Sequence, residues 1–343
     1  MRIALDAMGG DNAPKVNVDG ALESIEEFGD VKITLVGDEA VLNKQLQRKS
    51  YDAQRLDVVH ASQVVEMGEA MAMALRKKKD SSIRVAVGLV KSGKADAVVS
   101  AGHSGIAMAT ALTMLRKAPG VDRPAFATLM PTLTGRFLLI DAGANVDCKP
   151  LNLLQFAFMG NAYYKTVFGI PYPRVGLISN GEEDCKGNEL TKETFKLLKT
   201  SGLNFIGNIE GKDLFSDHAD VVVCDGFIGN TVLKTSEGLA ETIFKMLKAE
   251  ITKSFFAKIG YLLMKPAFRN FKKNTDYDEY GGAPLLGING TCIISHGRSS
   301  PKAIKNAIKV ANQLAGIDIS KLISDNIAQS GMGIIKENEF AEN

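Results

Sequence analysis

Residues 2–14 read RIALDAMGGDNAP. The run Arg2–Ala7 is short and mostly apolar, which fits a strand buried on both faces better than one side of a helix. Gly9 and Gly10 follow at once, and a glycine pair lets the chain turn tightly or approach a ligand with bare backbone. Pro14 then stands where the first turn of a helix tolerates a residue without an N–H, with Asn12 as a nearby capping candidate. Strand, glycine loop and helix start within one short stretch are the opening of a βαβ unit.

The same grammar recurs to the end of the chain. Strands are predicted at Arg2–Ala7, Lys32–Val36, Asp57–His60, Ala95–Ser100 and Ala125–Met130, and again at Arg136–Ile140, Arg174–Ile178, Asn204–Gly207, Val221–Cys224 and Thr291–Ser295. Gly37-Asp38 precedes a helix over Glu39–Gln47, Gly102 one over Ile106–Leu115, and Gly226 one from about Asn230. Pro150 and Pro301 mark two further helix starts, with Asp147 and Ser299 or Ser300 as caps. Strands alternating with helices predict an α/β fold with helices on both faces of a mostly parallel, doubly wound sheet. No repeat of fixed period and no low-complexity linker divides it, so one α/β domain over 1–343 is expected.

Composition narrows the function. Of 343 residues 45% are apolar and 23% charged, which suits a globular protein with a sizeable core. A net charge of +2 gives no electrostatic footprint for nucleic acid. Cys148, Cys185, Cys224 and Cys292 form no CxxC pair and read as reduced thiols; with four scattered histidines they offer no metal spacing, so no metal is expected. Met1–Asp6 is no secretory signal and no apolar run is long enough to span a bilayer, so a cytoplasmic protein is expected.

One segment departs from the pattern. Ile243–Lys273 holds eight basic residues (Lys245, Lys248, Lys253, Lys258, Lys265, Arg269, Lys272 and Lys273) against Glu250 alone. Apolar positions at 244, 247, 251, 255, 259 and 262 share a helical stripe, yet Lys248 and Lys258 fall on the same side. Gly260 and Pro266 interrupt it, so two short helices fit better than one. A core helix with lysine stems laid along it is one reading. A protruding surface that meets an anionic membrane or an acidic protein is the other, with Lys253, Phe255, Phe256, Lys258, Leu262 and Leu263 as the contact candidates.

In an open parallel sheet, ligands bind beyond the carboxyl ends of strands, where loops meet helix N-termini. Three glycine-bearing loops occupy such positions: Asp6–Pro14, Ser100–Gly105 and Asp225–Asn230. Bare backbone and helix N-terminal N–H groups favour an anion such as phosphate. Neither a GxxxxGK[ST] loop nor a GxGxxG helix opening is present, which disfavours a nucleoside triphosphate or a dinucleotide. Gly9, Gly10, Asn12, Gly102, His103, Ser104 and Gly105 are therefore the phosphate-binding candidates. Gly181–Asn188 (GEEDCKGN) is either a solvated charged loop or a means of presenting Lys186 to an anion. His103 and Ser104 are neighbours in sequence, and neighbours rarely form a base–nucleophile pair; Cys148 is a candidate thiol but fits an inert, buried role better.

Taken in order, Asp6–Pro14 (DAMGGDNAP), Asp141–Pro150 (DAGANVDCKP), Gly181–Asn188 (GEEDCKGN), Asp220–Gly238 (DVVVCDGFIGNTVLKTSEG) and Tyr280–Gly297 (YGGAPLLGINGTCIISHG) resemble signatures of the PlsX phosphate acyltransferase family. The resemblance spans nearly the whole chain. It departs at the second loop, where His103, Ser104 and Ile106 stand for the family's Asn, Thr and Ala. What it implies is an enzyme without cofactor that moves a fatty acyl group from acyl carrier protein to inorganic phosphate. The acyl phosphate would feed phospholipid synthesis through a membrane glycerol-3-phosphate acyltransferase. It further implies a three-layer α/β/α fold like that of phosphotransacetylase and isopropylmalate dehydrogenase, a homodimer, and loose contact with an anionic membrane. Lys186 and Asn230 are then expected to face the thioester carbonyl as catalytic residues. A phosphotransacetylase-like enzyme using acyl-CoA and a non-catalytic membrane scaffold are the rival readings.

Overall fold

Among the described residues eleven strands join in one sheet, and the direction of the strands reverses part-way across it. The computed structural model describes residues 1–66, 68–275, 277–279 and 281–330 (backbone only at 269, 270, 272–275 and 277). Tyr280 of the last signature, and the side chains of Arg269, Lys272 and Lys273, lie outside the described residues. The strands are β1 Arg2–Asp6, β2 Lys32–Gly37, β3 Leu56–His60, β4 Ala97–Ser100, β5 Ala125–Pro131, β6 Arg136–Ile140, β7 Val175–Ile178, β8 Phe205–Ile209, β9 Val221–Val223, β10 Ala283–Leu286 and β11 Thr291–Ile294. The α-helices are α1 Lys15–Glu27, α2 Glu39–Leu46, α3 Met71–Lys77, α4 Ser82–Lys91, α5 Ser104–Leu115, α6 Pro150–Phe168, α7 Glu189–Lys199, α8 Gly226–Lys253, α9 Phe255–Thr275, α10 Pro301–Gly316 and α11 Ile319–Gln329.

The strand order is β3-β2-β1-β4-β11-β10-β5-β6-β9-β7-β8. The first five are parallel to one another, as are the last four. Between the blocks three successive antiparallel pairings, β11 with β10, β10 with β5 and β5 with β6, reverse the direction. The two blocks therefore point opposite ways, and each has its own set of carboxyl-end loops.

Alternating strand residues feed different layers, as the two-residue period requires. Ile3 and Leu5 of β1 and Leu138 and Ile140 of β6 enter one core with α1, α6, α10 and α11. Ala4 faces α4 and α5 on the opposite side. Phe137 and Leu139 face Val232 and Leu233 of α8. Helices thus cover both faces, giving the three-layer α/β fold that the alternation predicts.

Several expectations need correction. Strand β10 is missed because its four residues, APLL, are shorter than most strands and carry Pro284, which reads as a breaker. The helix expected from about Asn230 begins at Gly226, since the Asp225 side chain accepts from the Ile228 N–H at 2.9 Å and caps it. The basic segment does form two helices, but both are long, and they break at Ser254 rather than at Gly260 or Pro266. Ser254 is extended (φ −119°, ψ 135°), and its Oγ accepts from the Ala257 N–H at 3.4 Å. Of the capping candidates Ser300 caps α10, whereas Lys149 rather than Asp147 precedes α6 and no side chain caps α1.

Helices α1 and α10 meet at Gly20. A Cβ added there would stand 2.6 Å from the Pro301 carbonyl and 2.7 Å from Ile304 Cβ. Gly20→Val is expected to cost about 1–3 kcal/mol through overpacking, read as a lowered urea midpoint with an unchanged slope.

Candidate active site

At the carboxyl ends of β1 and β4 the two strands are tied by a side-chain hydrogen bond. The Ser100 hydroxyl donates to Asp6 Oδ2 at 2.7 Å, and the Gly102 N–H donates to Ser100 Oγ at 3.1 Å. Asn17 of α1, itself buried, donates to the carbonyls of Ala7 at 3.0 Å and Gly9 at 2.9 Å, pinning the loop from beneath. Gly9 has no room for a side chain, because a Cβ would lie 2.6 Å from Asp6 Oδ2 and 2.8 Å from Gly102 N. Gly10 has φ +109°, and the Asp11 N–H donates to the Gly297 carbonyl at 2.8 Å. Loops after β1, β4 and β11 are thus held together by backbone.

They surround a small recess lined by Asp6, Gly9, Ser82, Ser100, Gly102 and His103. Asp6 is 2% exposed, and its Oδ1 has no hydrogen-bond partner. Burial pushes the Asp6 carboxyl above its ordinary range, against the pull of the nearby Ser82 and Ser100 hydroxyls. Helix α5 starts beside it. His103 caps that helix, its Nδ1 accepting from the Ile106 N–H at 3.4 Å, so the ring stands in for a capping Asn and is not turned to Ser104 as a base. Helix geometry leaves the N–H groups of Ser104 and Gly105 without an intrahelical partner, at the positive end of the helix.

The loop after β6 is built differently. Asp141 is fully buried, and its carboxylate accepts five hydrogen bonds. The N–H groups of Phe126, Gly143 and Ala144 reach Oδ1 at 2.9–3.1 Å; the Asn145 N–H and side-chain amide reach Oδ2 at 2.7 and 2.9 Å. This acid is saturated and structural. A Cβ at Gly226 would sit 2.7 Å from the Asn145 carbonyl, and one at Gly229 would overlap the Asp141 carbonyl, so the first turn of α8 lies on this loop as bare backbone.

A second, larger recess of about 500 Å³ opens beyond β7 and β9. It is lined by Leu153, Ile178 and Ile228 with Asn188, Thr191 and Asp225, at the starts of α7 and α8. Lys186 is exposed on the loop beside it, its stem packed over Gly181, where a Cβ would touch Lys186 Cγ at 2.7 Å. Asn230 belongs elsewhere. It is exposed on α8 and faces Gly143, on a different side of the helix from Ile228. Glu237, two turns on and on the same face as Asn230, meets His296 Nε2 at 3.1 Å. Asn230 is therefore about 10 Å along the helix from the loop after β11.

The predicted residues thus fall into separate groups. Gly9, Gly102 and His103 share the first recess, with Gly10, Ser104 and Gly105 at its edge and Asn12 exposed beyond it. Lys186 lies over Gly181 on the loop beside the second recess, and Asn230 faces Gly143. Asp6, Ser82 and Ser100 carry no role in the sequence reading. For Asp6 a signal existed, an acid on the last position of an otherwise apolar strand; for Ser82, on another element, there was none. Cys148 is not a nucleophile, since burial and then the charges of Asp141 and Asp225 push its thiol up to about 12. Glu182, Glu210 and Asp213 cluster, but Lys212 pairs with Glu210 and Glu182 within it.

Phe255, Phe256, Leu262 and Leu263, at the turn between α8 and α9 and just beyond it, are 66–82% exposed. Lys253 beside them pairs with Glu250 at 2.6 Å. No helix among the described residues is long and apolar enough to cross a membrane.

A family model described as "Fatty acid synthesis protein" matches residues 1–322. A phosphate acyltransferase of Thermodesulfovibrio yellowstonii is 57% identical over 330 residues, covering 96% of this chain and 95% of that protein. One of Geobacter sulfurreducens is 54% identical over 327 residues, covering 95% and 94%. Among solved structures, the EutD phosphotransacetylase from Staphylococcus aureus aligns with a TM-score of 0.58 at 17% identity, over 92% of this chain and 94% of its own. A phosphotransacetylase from Streptococcus pyogenes aligns with 0.59 at 19%, over the same shares. These structures share the fold.

The raised carboxyl of Asp6 sets the sign of a stability test. Its proton is held more tightly in the folded than in the unfolded chain, so its contribution is fully present below the unfolded carboxylate range and is lost as pH rises through the folded value. Asp6→Asn, uncharged at every pH, is expected to gain stability relative to the unaltered protein between pH 5 and pH 8, measured as the difference in urea midpoints at the two values.

Proposed function

The chain belongs to the fatty acid synthesis protein family, whose curated members here are phosphate acyltransferases, and from that premise we propose that it moves a fatty acyl group from acyl carrier protein to inorganic phosphate. The observation that carries the assignment of parts is the first recess: backbone N–H groups at the start of α5 and bare glycine loops after β1 and β4.

The chemistry asks for little else. Phosphate is already ionised at neutral pH, so its oxygen attacks the thioester carbon without a strong base. A tetrahedral oxyanion forms, the carbon–sulfur bond breaks, and acyl phosphate leaves one side. The thiolate leaves on the other and takes up the proton that phosphate loses; its conjugate acid has a pKa of about 8.5 by analogy with cysteine. Positioning and stabilisation of charge carry such a reaction. In this reading the α5 N-terminus and the loops at Gly9–Asn12 and Gly102–Gly105 hold phosphate. Asn230, on the face of α8 that looks toward those loops, donates to the carbonyl oxygen. Lys186, exposed beside the second recess, meets an anionic group of the donor, and the apolar recess takes part of its extended arm.

The exposed tip of the α8–α9 pair rests on an anionic bilayer, from which the acyl phosphate passes to a membrane acyltransferase. Exposed aromatic and aliphatic side chains with lysines beside them favour that partner. Leu239, Ile243 and Met246, 52–65% exposed on α8, are read as a face shared with a second copy in a homodimer.

Long-chain acyl carrier protein incubated with the protein and phosphate is expected to release free thiol and acyl phosphate in equal amounts, and neither without phosphate. Faster turnover with acyl-CoA would favour the phosphotransacetylase-like rival, and no turnover with either donor would favour a scaffold. Asn230→Ala is expected to lower kcat about 10- to 1,000-fold with the fold intact by circular dichroism. For the tip, the combined variant Phe255→Ser, Phe256→Ser, Leu262→Ser, Leu263→Ser is expected to stop floating with phosphatidylglycerol vesicles while keeping turnover in solution. Flotation unchanged, or turnover lost through weaker carrier-protein affinity, would reassign the tip.

A further inference from the structure

No lysine or arginine is among the residues that line the first recess; the ionisable ones there are Asp6 and His103. A phosphate dianion that attacks a carbonyl creates a second negative charge beside its own, and fixed positive charge steadies such a pair. Lys186 stands at the other recess. The face of α8 that meets the loop after β11 carries a different cation.

Asn230, Lys234 and Glu237 follow one another at helical spacing and share that face. Glu237 divides its carboxylate between two partners. Oε2 accepts from Lys234 Nζ at 2.8 Å, while Oε1, sealed from solvent, meets His296 Nε2 at 3.1 Å. An ordinary surface pair one turn apart leaves both ends in water; this one is anchored on another element. His296 is fixed from both sides. The Ser295 N–H donates to the Ser100 carbonyl at 2.8 Å, and the Gly297 carbonyl accepts from the Asp11 N–H at 2.8 Å. The contacts that start at Lys234 therefore end on the loops after β1 and β4, which bound the first recess.

Helix geometry orders the stripe. Measured along α8 from Glu237, Asn230 is about 10 Å away and Lys234 about 4.5 Å, so the lysine stands nearer the loop after β11. Its side chain is 49% exposed, which leaves the ammonium open to a ligand. The fully buried residues of α8 are Gly226 and Gly229, in its first turn. At the level of Lys234, the contact between Glu237 and His296 ties this face to the loop after β11.

Resting on the reading of the first recess as the phosphate site, we propose that Lys234 is a further substrate-binding residue of the transfer reaction. Its ammonium lies against the attacking phosphate, and Glu237, pinned by His296, is the positioning residue that aims it. Asn230, one turn earlier, then serves the carbonyl oxygen while Lys234 offsets the charge of the phosphate. No proton passes through Lys234, so the covalent step is unchanged.

The test is steady-state kinetics of the full-length protein with long-chain acyl carrier protein and inorganic phosphate, each varied in turn. Lys234→Met is expected to raise KM for phosphate about 10- to 100-fold, the range a charge-assisted contact supports, and to leave KM for the carrier protein within about threefold. Lys234→Arg, which keeps a cation, is expected to bring phosphate KM back to within about tenfold of the unaltered protein. Glu237→Gln is expected to raise phosphate KM about 3- to 10-fold alone, and by less than about twofold in a Lys234→Met background, because the two act through one ammonium. Calorimetric titration with sodium phosphate, no donor present, is expected to repeat the Lys234→Met loss.

Phosphate KM and affinity unchanged in folded Lys234→Met would overturn the proposal, and intact turnover would then leave the phosphate-transfer reading standing. A rise confined to the carrier-protein KM would overturn it too and give the lysine to the donor. A Glu237→Gln effect that is undiminished in the Lys234→Met background would remove Glu237 from the positioning role. Absence of phosphate-dependent turnover in the unaltered protein, with either donor, would overturn the proposal and the reading it rests on together.

Discussion

The Ser100 hydroxyl reaches Asp6 Oδ2 across the boundary between β4 and β1, and the arrangement of the first recess depends on that contact. It fixes where the β1 loop turns, and the turn brings Gly9 so close to the β4 loop that a Cβ there would stand 2.8 Å from the Gly102 nitrogen. Because the backbones touch, the start of α5 is delivered to the same point as the β1 loop, and the loop after β11 joins through the Asp11 N–H and the Gly297 carbonyl. A sealed carboxylate is an expensive keystone. Its cost is lowered by the hydrogen bond that Ser100 donates to Oδ2.

The reversal of strand direction gives the sheet two sets of carboxyl-end loops, and α8 connects them. Its first turn lies on the Asp141 loop, and its fourth turn meets His296 beside the first recess through Glu237. Burial raises the Glu237 carboxyl, but the hydrogen bonds and charges of His296 and Lys234 outweigh it and hold it below its ordinary range. The helix then leaves the body and, with α9, exposes apolar side chains at its far end. One element thus touches the saturated loop after β6 and the loop after β11, and carries the exposed tip.

Much of this was legible in the sequence, and the reasons are local. Ten strands could be read because each is a short run rich in apolar residues set between helical or turn patterns, and Pro150 and Pro301 begin helices where a first-turn proline belongs. Strand β10 could not, since APLL with its proline becomes a strand only through partners on both sides, β5 and β11. The reversal it creates was hidden for the same reason. Lys186 and Asn230 came from the resemblance rather than from pattern, and that Asn230 faces Gly143 on another side of α8 from Ile228 is a matter of helix phase. The chain segments bearing the glycine loops were readable from Gly9, Gly10 and Gly102, but the distinction between Asp6 and Asp141 was not. Asp6 ends a strand and Asp141 follows one, each before an alanine, and only the donors around each carboxylate, five at Asp141, tell them apart.

The central claim is that inorganic phosphate sits on the backbone where β1, β4 and α5 meet. Amide hydrogen exchange of the full-length protein with and without inorganic phosphate addresses it directly. Slowed exchange confined to the segments around Gly9–Asn12 and Gly102–Ala107 is the predicted result. Protection that appears instead at Ser179–Thr191 and Asp225–Ile228, around the larger recess, would contradict the account and move the phosphate site to the other block of the sheet.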